Sequence, residues 1–104
     1  MRLSYIPDSL AYMKLEDMLD TIRSLGVDAI ELTTGNWSAA PHINLDELVS
    51  NVEARKNFKE SFEARGMDIV ALNCSGNPLA YAKDMDVTLK TFQLAGQLGI
   101  KQIV

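Results

Sequence analysis

Three times in 104 residues, a helical pattern ends at a glycine and passes directly into a short apolar run. The runs are Gly26-Val27-Asp28-Ala29-Ile30-Glu31-Leu32, Gly66-Met67-Asp68-Ile69-Val70-Ala71-Leu72 and Gly99-Ile100-Lys101-Gln102-Ile103-Val104. Glycine suits the left-handed position just past a helix end. The short apolar run after it reads as a strand. Strands separated by helices pair in parallel, because parallel neighbours need a long crossover connection. The pattern therefore confines the chain to an α/β fold made of βα repeats. Lys101 to Val104 reads as the opening of a fourth strand, so the repeat is expected to be cut off there, as a truncated single domain over 1–104.

The remaining elements follow from local signals. Leu3 to Ile6 reads as the first strand, ended by Pro7-Asp8, since proline cannot donate to a ladder. Leu15, Met18, Leu19, Ile22 and Leu25 share one face at the helical period, while Glu16, Asp17, Asp20 and Arg23 take the other. Ala29 to Thr33 is the second strand. Asn44, with Glu47 three residues on, resembles a capping box. Asn51 is placed to divide the next stretch into a short helix and a longer one ending at Arg65-Gly66. Ile69 to Asn73 is the third strand. Asp84 or Asp86 is expected to cap the last helix, with Met85, Leu89, Phe92, Ala95 and Leu98 facing inward. The order is strand–helix–strand–helix–strand–helix–strand. Two architectures fit it: an open doubly wound sheet, or part of a (β/α)8 barrel. A whole barrel takes about 250 residues, so this chain amounts to at most about half of one.

Composition narrows function more than fold. The net charge is −4 and the pI about 4.8, which argues against a nucleic-acid partner. One cysteine, Cys74, precludes an intrachain disulfide and makes a reducing cytoplasm the default compartment. No apolar run approaches the roughly 20 residues of a membrane span, so no membrane partner is expected. No GxGxxG or GxxxxGK[ST] pattern occurs, which counts against a nucleotide fold.

In α/β sheets, ligands gather at the carboxyl ends of the strands. That rule nominates Tyr5, Glu31, Trp37, His42 and the segment Asn73, Cys74, Ser75, Asn77 as substrate-binding positions. Glu31 stands between Ile30 and Leu32, where a carboxylate needs a partner. It reads either as a substrate contact, base or metal ligand, or as a group satisfied locally. His42, the sole histidine, offers acid–base or ligand chemistry; the plain alternative is a solvated loop histidine. Trp37 is placed either to stack on a sugar ring or to plug the mouth of a barrel. Cys74 has no positioned base nearby in sequence and reads as a small buried residue. No residue is assigned as catalytic. The single histidine precludes a His-rich zinc-type cluster, and no metal ligand is assigned within this chain.

The run Ala71-Leu72-Asn73-Cys74-Ser75-Gly76-Asn77-Pro78-Leu79 resembles the third-strand segment of the sugar phosphate isomerase/epimerase family, the xylose isomerase-like TIM barrels. Many of its members carry Cys-x-Gly-Asn-Pro-Leu at this point. Gly26 to Leu32 is similar to their second strand, with its Glu-Leu pair, and Leu89 to Lys101 to their approach to the fourth. The resemblance departs at Ser75, Ala80 and Tyr81, where members often carry histidine or His-Pro. It implies the N-terminal half of a TIM barrel and metal-assisted proton transfer next to a carbonyl of a sugar or sugar phosphate. It implies a carbohydrate substrate, and pocket-lining roles for Tyr5, Glu31, Trp37 and Asn73 to Asn77. A divalent metal (Mn, Mg, Co or Zn) is expected for the complete family protein. Its ligands come from later strands, so none is expected on this chain alone.

Two other readings compete. A half-barrel without catalysis would expose strand edges and associate with a second copy. An apurinic-site endonuclease fits the acidic composition least.

Overall fold

The computed structural model describes residues 2–104. In chain order the elements are β1 (Ser4–Tyr5), a 3-10 turn (Pro7–Leu10), α1 (Leu15–Ser24), β2 (Ala29–Thr33), α2 (Leu45–Ser50), α3 (Val52–Glu63), β3 (Asp68–Asn73) and α4 (Ala82–Leu98). The repeated glycine signal does what its position requires. Gly26, Gly66 and Gly99 have φ of 82°, 65° and 73°, and no atom lies within 4 Å of a β-carbon built on any of them. Glycine is needed there for backbone handedness, not for space.

The strands form a parallel sheet in sequence order, β1-β2-β3. Ile30 pairs with Ile69, but Glu31 pairs with Ala71, so Val70 is an extra residue in β3. The expected fourth strand is reduced to one parallel bridge, Leu72 to Ile103. Three backbone bonds hold it: Leu72 N–H to the Gln102 carbonyl at 3.0 Å, Val104 N–H to Leu72 at 2.8 Å, and Cys74 N–H to Val104 at 3.0 Å. β1 is also shorter than Leu3 to Ile6, because only Ser4 and Tyr5 have partners on β2, and Leu3 and Ile6 stay exposed.

All four helices share one core. Met18, Leu19 and Ile22 of α1, Leu48 of α2, Phe58 and Phe62 of α3, and Leu94, Ala95 and Leu98 of α4 cluster with Ile30, Leu32 and Leu72 of the sheet. Strand side chains alternate between faces, so Ala29, Glu31 and Thr33 point away from that cluster. Ala29 and Ala71 are buried yet lie outside it. The described strands are thus wound in one direction with their helices on one face. A doubly wound sheet carries helices on both.

Asn51 divides the second connection as its sequence position implies. It ends α2 and starts α3, its Oδ1 accepting from the Ala54 amide at 3.0 Å. Asn44 caps α2 by accepting from the Glu47 amide at 3.2 Å, but no return bond from Glu47 accompanies it among the described residues. The expectation for α4 needs correcting twice. The helix starts at Ala82 with no side-chain cap, because the Asn77 carbonyl already takes the Ala80 and Tyr81 amides and turns the chain into it. The buried face also sits at Asp84, Thr91, Leu94, Ala95 and Leu98; Leu89 and Phe92 are 60% and 58% exposed. Thr91 forces this rotation: it is fully buried and shares a 2.8 Å hydrogen bond with Thr34 at the end of β2.

Ion pairs tie neighbouring helices on the outside. Arg65 holds Asp20 at 2.6 Å and Glu16 at 2.7 Å, joining α3 to α1. Its hydrogen bond keeps the Asp20 carboxyl below the ordinary aspartate range. Lys90 joins α4 to α2 through Asp46 at 2.8 Å and also meets Asp86 at 2.9 Å. The hydrogen bonds, that to Asp46 foremost, raise its ammonium above the usual lysine value. Arg2 spans Asp28 and Asp68 at the amino ends of β2 and β3. Exposed pairs of this kind align elements more than they stabilise them.

Candidate functional site

The carboxyl ends of the strands carry three connected polar groups. The first lies on the sheet face away from the helices. Asn73 donates through Nδ2 to Glu31 Oε2 at 3.0 Å and accepts at Oδ1 from the Ser75 amide at 3.0 Å. These two bonds fix which end of the Asn73 amide faces the carboxylate. Glu31 Oε1 has no protein donor among the described residues. Glu31 is therefore oriented, half-buried and still has acceptor capacity to offer.

The second group was not anticipated. Asp8, on the 3-10 turn after β1, accepts from Thr33 Oγ1 and from Ser38 Oγ, each at 2.6 Å. Thr33 is buried, so Asp8 supplies the partner its hydroxyl needs. The sequence signal was there in a proline-aspartate turn and in hydroxyls at 33, 34 and 38, but nothing local links residues 25 to 30 apart.

The third group locks the loops after β2 and β3 to α4. Asn36 adopts a left-handed backbone with φ 64°, and its Nδ2 donates to the Cys74 carbonyl at 3.0 Å and the Asp84 carbonyl at 3.4 Å. Asn36 Oδ1 is buried without a partner. Asp84, expected as a helix cap, is instead buried and accepts at Oδ2 from the Asn77 amide at 2.8 Å.

The nominated residues divide accordingly. Glu31, Asn73 and Ser75 meet. Cys74 is buried with a free thiol, and Asn77 is exposed and joined to Asp84 through its backbone alone. Trp37 is 79% exposed on the loop after β2, neither plugging nor packed. Tyr5 pairs in register with Ile30, packs against the helix-side core and bonds Ser9 at 2.7 Å. It stands apart from Glu31. The reading of His42 as a solvated loop residue is overturned: it is only 7% exposed. Its Nε2 lies 3.1 Å from the Leu10 carbonyl. A carbonyl only accepts, so Nε2 carries a proton, and Nδ1 is buried without a partner among the described residues. His42 ties the loop after β2 to the 3-10 turn.

Among the described residues, no three His, Cys, Asp or Glu side chains group as a metal-ligand set. Among the described residues, no helix is long and apolar enough to cross a membrane. No model of a protein family matches the chain. A curated relative, "Uncharacterized protein YfiH" of Bacillus subtilis (strain 168), is 50% identical over 108 residues, covering all of this chain and 34% of the relative. The chain therefore spans about a third of the length of the relative it matches.

Proposed function

We propose that these residues form part of the substrate pocket of a sugar or sugar-phosphate isomerase or epimerase, as one half of a xylose isomerase-like (β/α)8 barrel. The sequence-order parallel sheet with helices on one face supports the barrel reading. The observation that carries the pocket reading is Glu31, held at 3.0 Å by Asn73 at the carboxyl ends of adjacent strands. A carboxylate fixed on one oxygen and open on the other is suited to accept from a sugar hydroxyl. Asn73 keeps it in place, and the exposed Trp37 offers an aromatic face at the same end of the sheet.

The divalent metal implied by the resemblance does not find a ligand set here: Glu31 contributes at most one carboxylate. No chemical step is assigned to a metal through these residues, and the groups that move the proton next to the substrate carbonyl are assigned to none of them.

The test uses a chimera in which this chain replaces the matching stretch of the Bacillus relative. With Mn²⁺ and a panel of aldoses, ketoses and their phosphates, the expected result is interconversion of at least one pair. Glu31→Gln is expected to lower kcat/KM by about tenfold or more, the loss of one hydrogen bond to a charged group. The 104-residue chain alone is expected to show no turnover. A folded chimera inert on the whole panel, or one indifferent to Glu31→Gln, refutes the reading.

A further inference from the structure

We propose that Asn36 and the Asp8–Ser38 pair are positioning residues that present Trp37 as a rigid stacking platform at the carboxyl end of β2. From Thr33 to Ser38, Trp37 is the one residue exposed to solvent. Its neighbours hold the loop. Thr33 donates to Asp8, and Thr34 bonds Thr91. Gly35 lies so close to α4 that a β-carbon on it would stand 3.0 Å from Val87 Cγ1. Tryptophan carries one of the largest apolar surfaces of any residue, and this loop is built so that the surface stays in water.

Both residues flanking the indole are pinned. Before it, Asn36 turns the backbone left-handed at φ 64°, which asparagine tolerates. Its Nδ2 donates to the Cys74 carbonyl at 3.0 Å and the Asp84 carbonyl at 3.4 Å, tying the turn to the loop after β3 and to α4. After it, Ser38 Oγ donates to Asp8 Oδ2 at 2.6 Å, a short charge-assisted bond, and accepts from the Ala40 amide at 3.0 Å. Asp8 is itself fixed, because its other oxygen accepts from Thr33 at 2.6 Å. Residues 36 and 38 are thus anchored to different loops, and the backbone of Trp37 between them has little freedom.

The anchors also place the platform. Glu31 and Thr33 are two apart on β2, so both point to the sheet face away from the helices. Ser38 Oγ lies 3.0 Å from Thr33 Oγ1. Trp37 therefore leaves the loop one residue from a hydroxyl that touches the Glu31 face. An indole has only two side-chain torsions to order on contact, and a backbone fixed beforehand lowers the cost of binding further. The ligand chemistry suited to the pair is a ring with a C–H face for the indole and a hydroxyl edge for Glu31, as in a pyranose.

That ligand rests on the pocket reading; the positioning does not, and its first test needs no substrate. Trp37 is the sole tryptophan, so its fluorescence reports this loop alone. In the wild-type chain, time-resolved anisotropy is expected to show the indole tumbling mainly with the whole molecule. Ser38→Ala cuts the link to Asp8, and Asn36→Gly removes the carboxamide while allowing the same φ. Each is expected to raise the amplitude of nanosecond motion about twofold or more, with the far-UV circular dichroism unchanged. Ser38→Thr keeps the hydroxyl and is expected to hold the wild-type amplitude. Asp20→Asn, on the outer surface between α1 and α3, controls for lost stability and is expected to leave Trp37 unmoved. In the chimera with the Bacillus relative, Ser38→Ala is expected to raise KM about threefold or more at unchanged kcat, because a platform binds substrate and transition state alike. An indole already mobile in the wild type, or indifferent to both Ser38→Ala and Asn36→Gly, overturns the proposal and leaves the pocket reading standing. So does a Ser38→Ala chimera whose kcat falls while KM holds. A fixed indole that both variants free, in a chimera inert on every sugar, sinks the pocket reading and leaves the positioning.

Discussion

Gly76 packs directly against Asp84: a β-carbon on it would stand 2.7 Å from Asp84 Oδ2 and 2.9 Å from Asn36 Cβ. Its φ of 125° is also one that side chains rarely adopt. The Gly-Asn-Pro run after β3 thus lets three segments meet, namely the loops after β2 and β3 and the first turn of α4. Gly76→Ala is expected to cost about 2 kcal/mol or more, from backbone strain plus the displaced Asp84. Gly96→Ala, in a helix with open space around it, is expected to gain up to about 1 kcal/mol. Urea unfolding of both variants checks the contrast; equal effects would show that Gly76 is not sterically required.

Asp8 is the shared acceptor for Thr33 and Ser38, at 2.6 Å each. Asp8→Ala leaves the buried Thr33 hydroxyl only Ser38 Oγ, at 3.0 Å, as a side-chain partner and is expected to cost about 1–3 kcal/mol. Thr33→Val in the Asp8→Ala background is expected to recover part of that loss, because the buried position 33 then carries no hydroxyl. A double-mutant cycle by chemical denaturation reads the coupling. A coupling within error of zero would mean that the two side chains do not depend on each other.

These two clusters mark where sequence reading succeeds and where it stops. β2 at Ala29–Thr33 and the break at Asn51 are legible because their signals are local: a glycine before a β-branched run, and an Asn that can cap. The face of α4 is not legible, because its apolar residues fall into two stripes and only the Thr34–Thr91 bond, 57 residues apart, selects the inner one. His42 reads as solvated because its partner is the Leu10 carbonyl, 32 residues away. Glu31 is recognisable from its apolar neighbours as a carboxylate in need of a partner. That the partner is Asn73 depends on the extra residue Val70 in β3, which sets the register.

The Arg65–Asp20 pair makes a prediction in acid. Arg65 holds the folded Asp20 carboxyl below its ordinary value of 3.8. A depressed folded value means stability that is present above the unfolded pKa and lost as pH falls through the folded one. Asp20→Asn is therefore expected to melt below the wild type at pH 6, and the gap should narrow as pH falls below the ordinary aspartate value of 3.8. Thermal melts taken as pH is lowered from 6 decide it. A gap that does not narrow at all on acidification would assign the effect to the hydrogen bond alone and not to charge.

The Glu31–Asn73 bond can be probed without any substrate. Asn73→Asp sets a second carboxylate about 3 Å from Glu31, in place of a donor. Two carboxylates so close cannot both stay ionised cheaply, so the pair retains a proton at a pH where the unfolded chain has lost it. A raised folded value gives stability that is present below the unfolded pKa and lost as pH rises through the folded one. Asn73→Asp is thus expected to be most destabilised near pH 7 and to approach the wild type as pH falls toward 4. Asn73→Ala lacks the second charge and should show a deficit that varies little over the same range. Parallel profiles for the two variants would mean that residue 73 does not face Glu31, and the pocket reading would lose the contact it rests on.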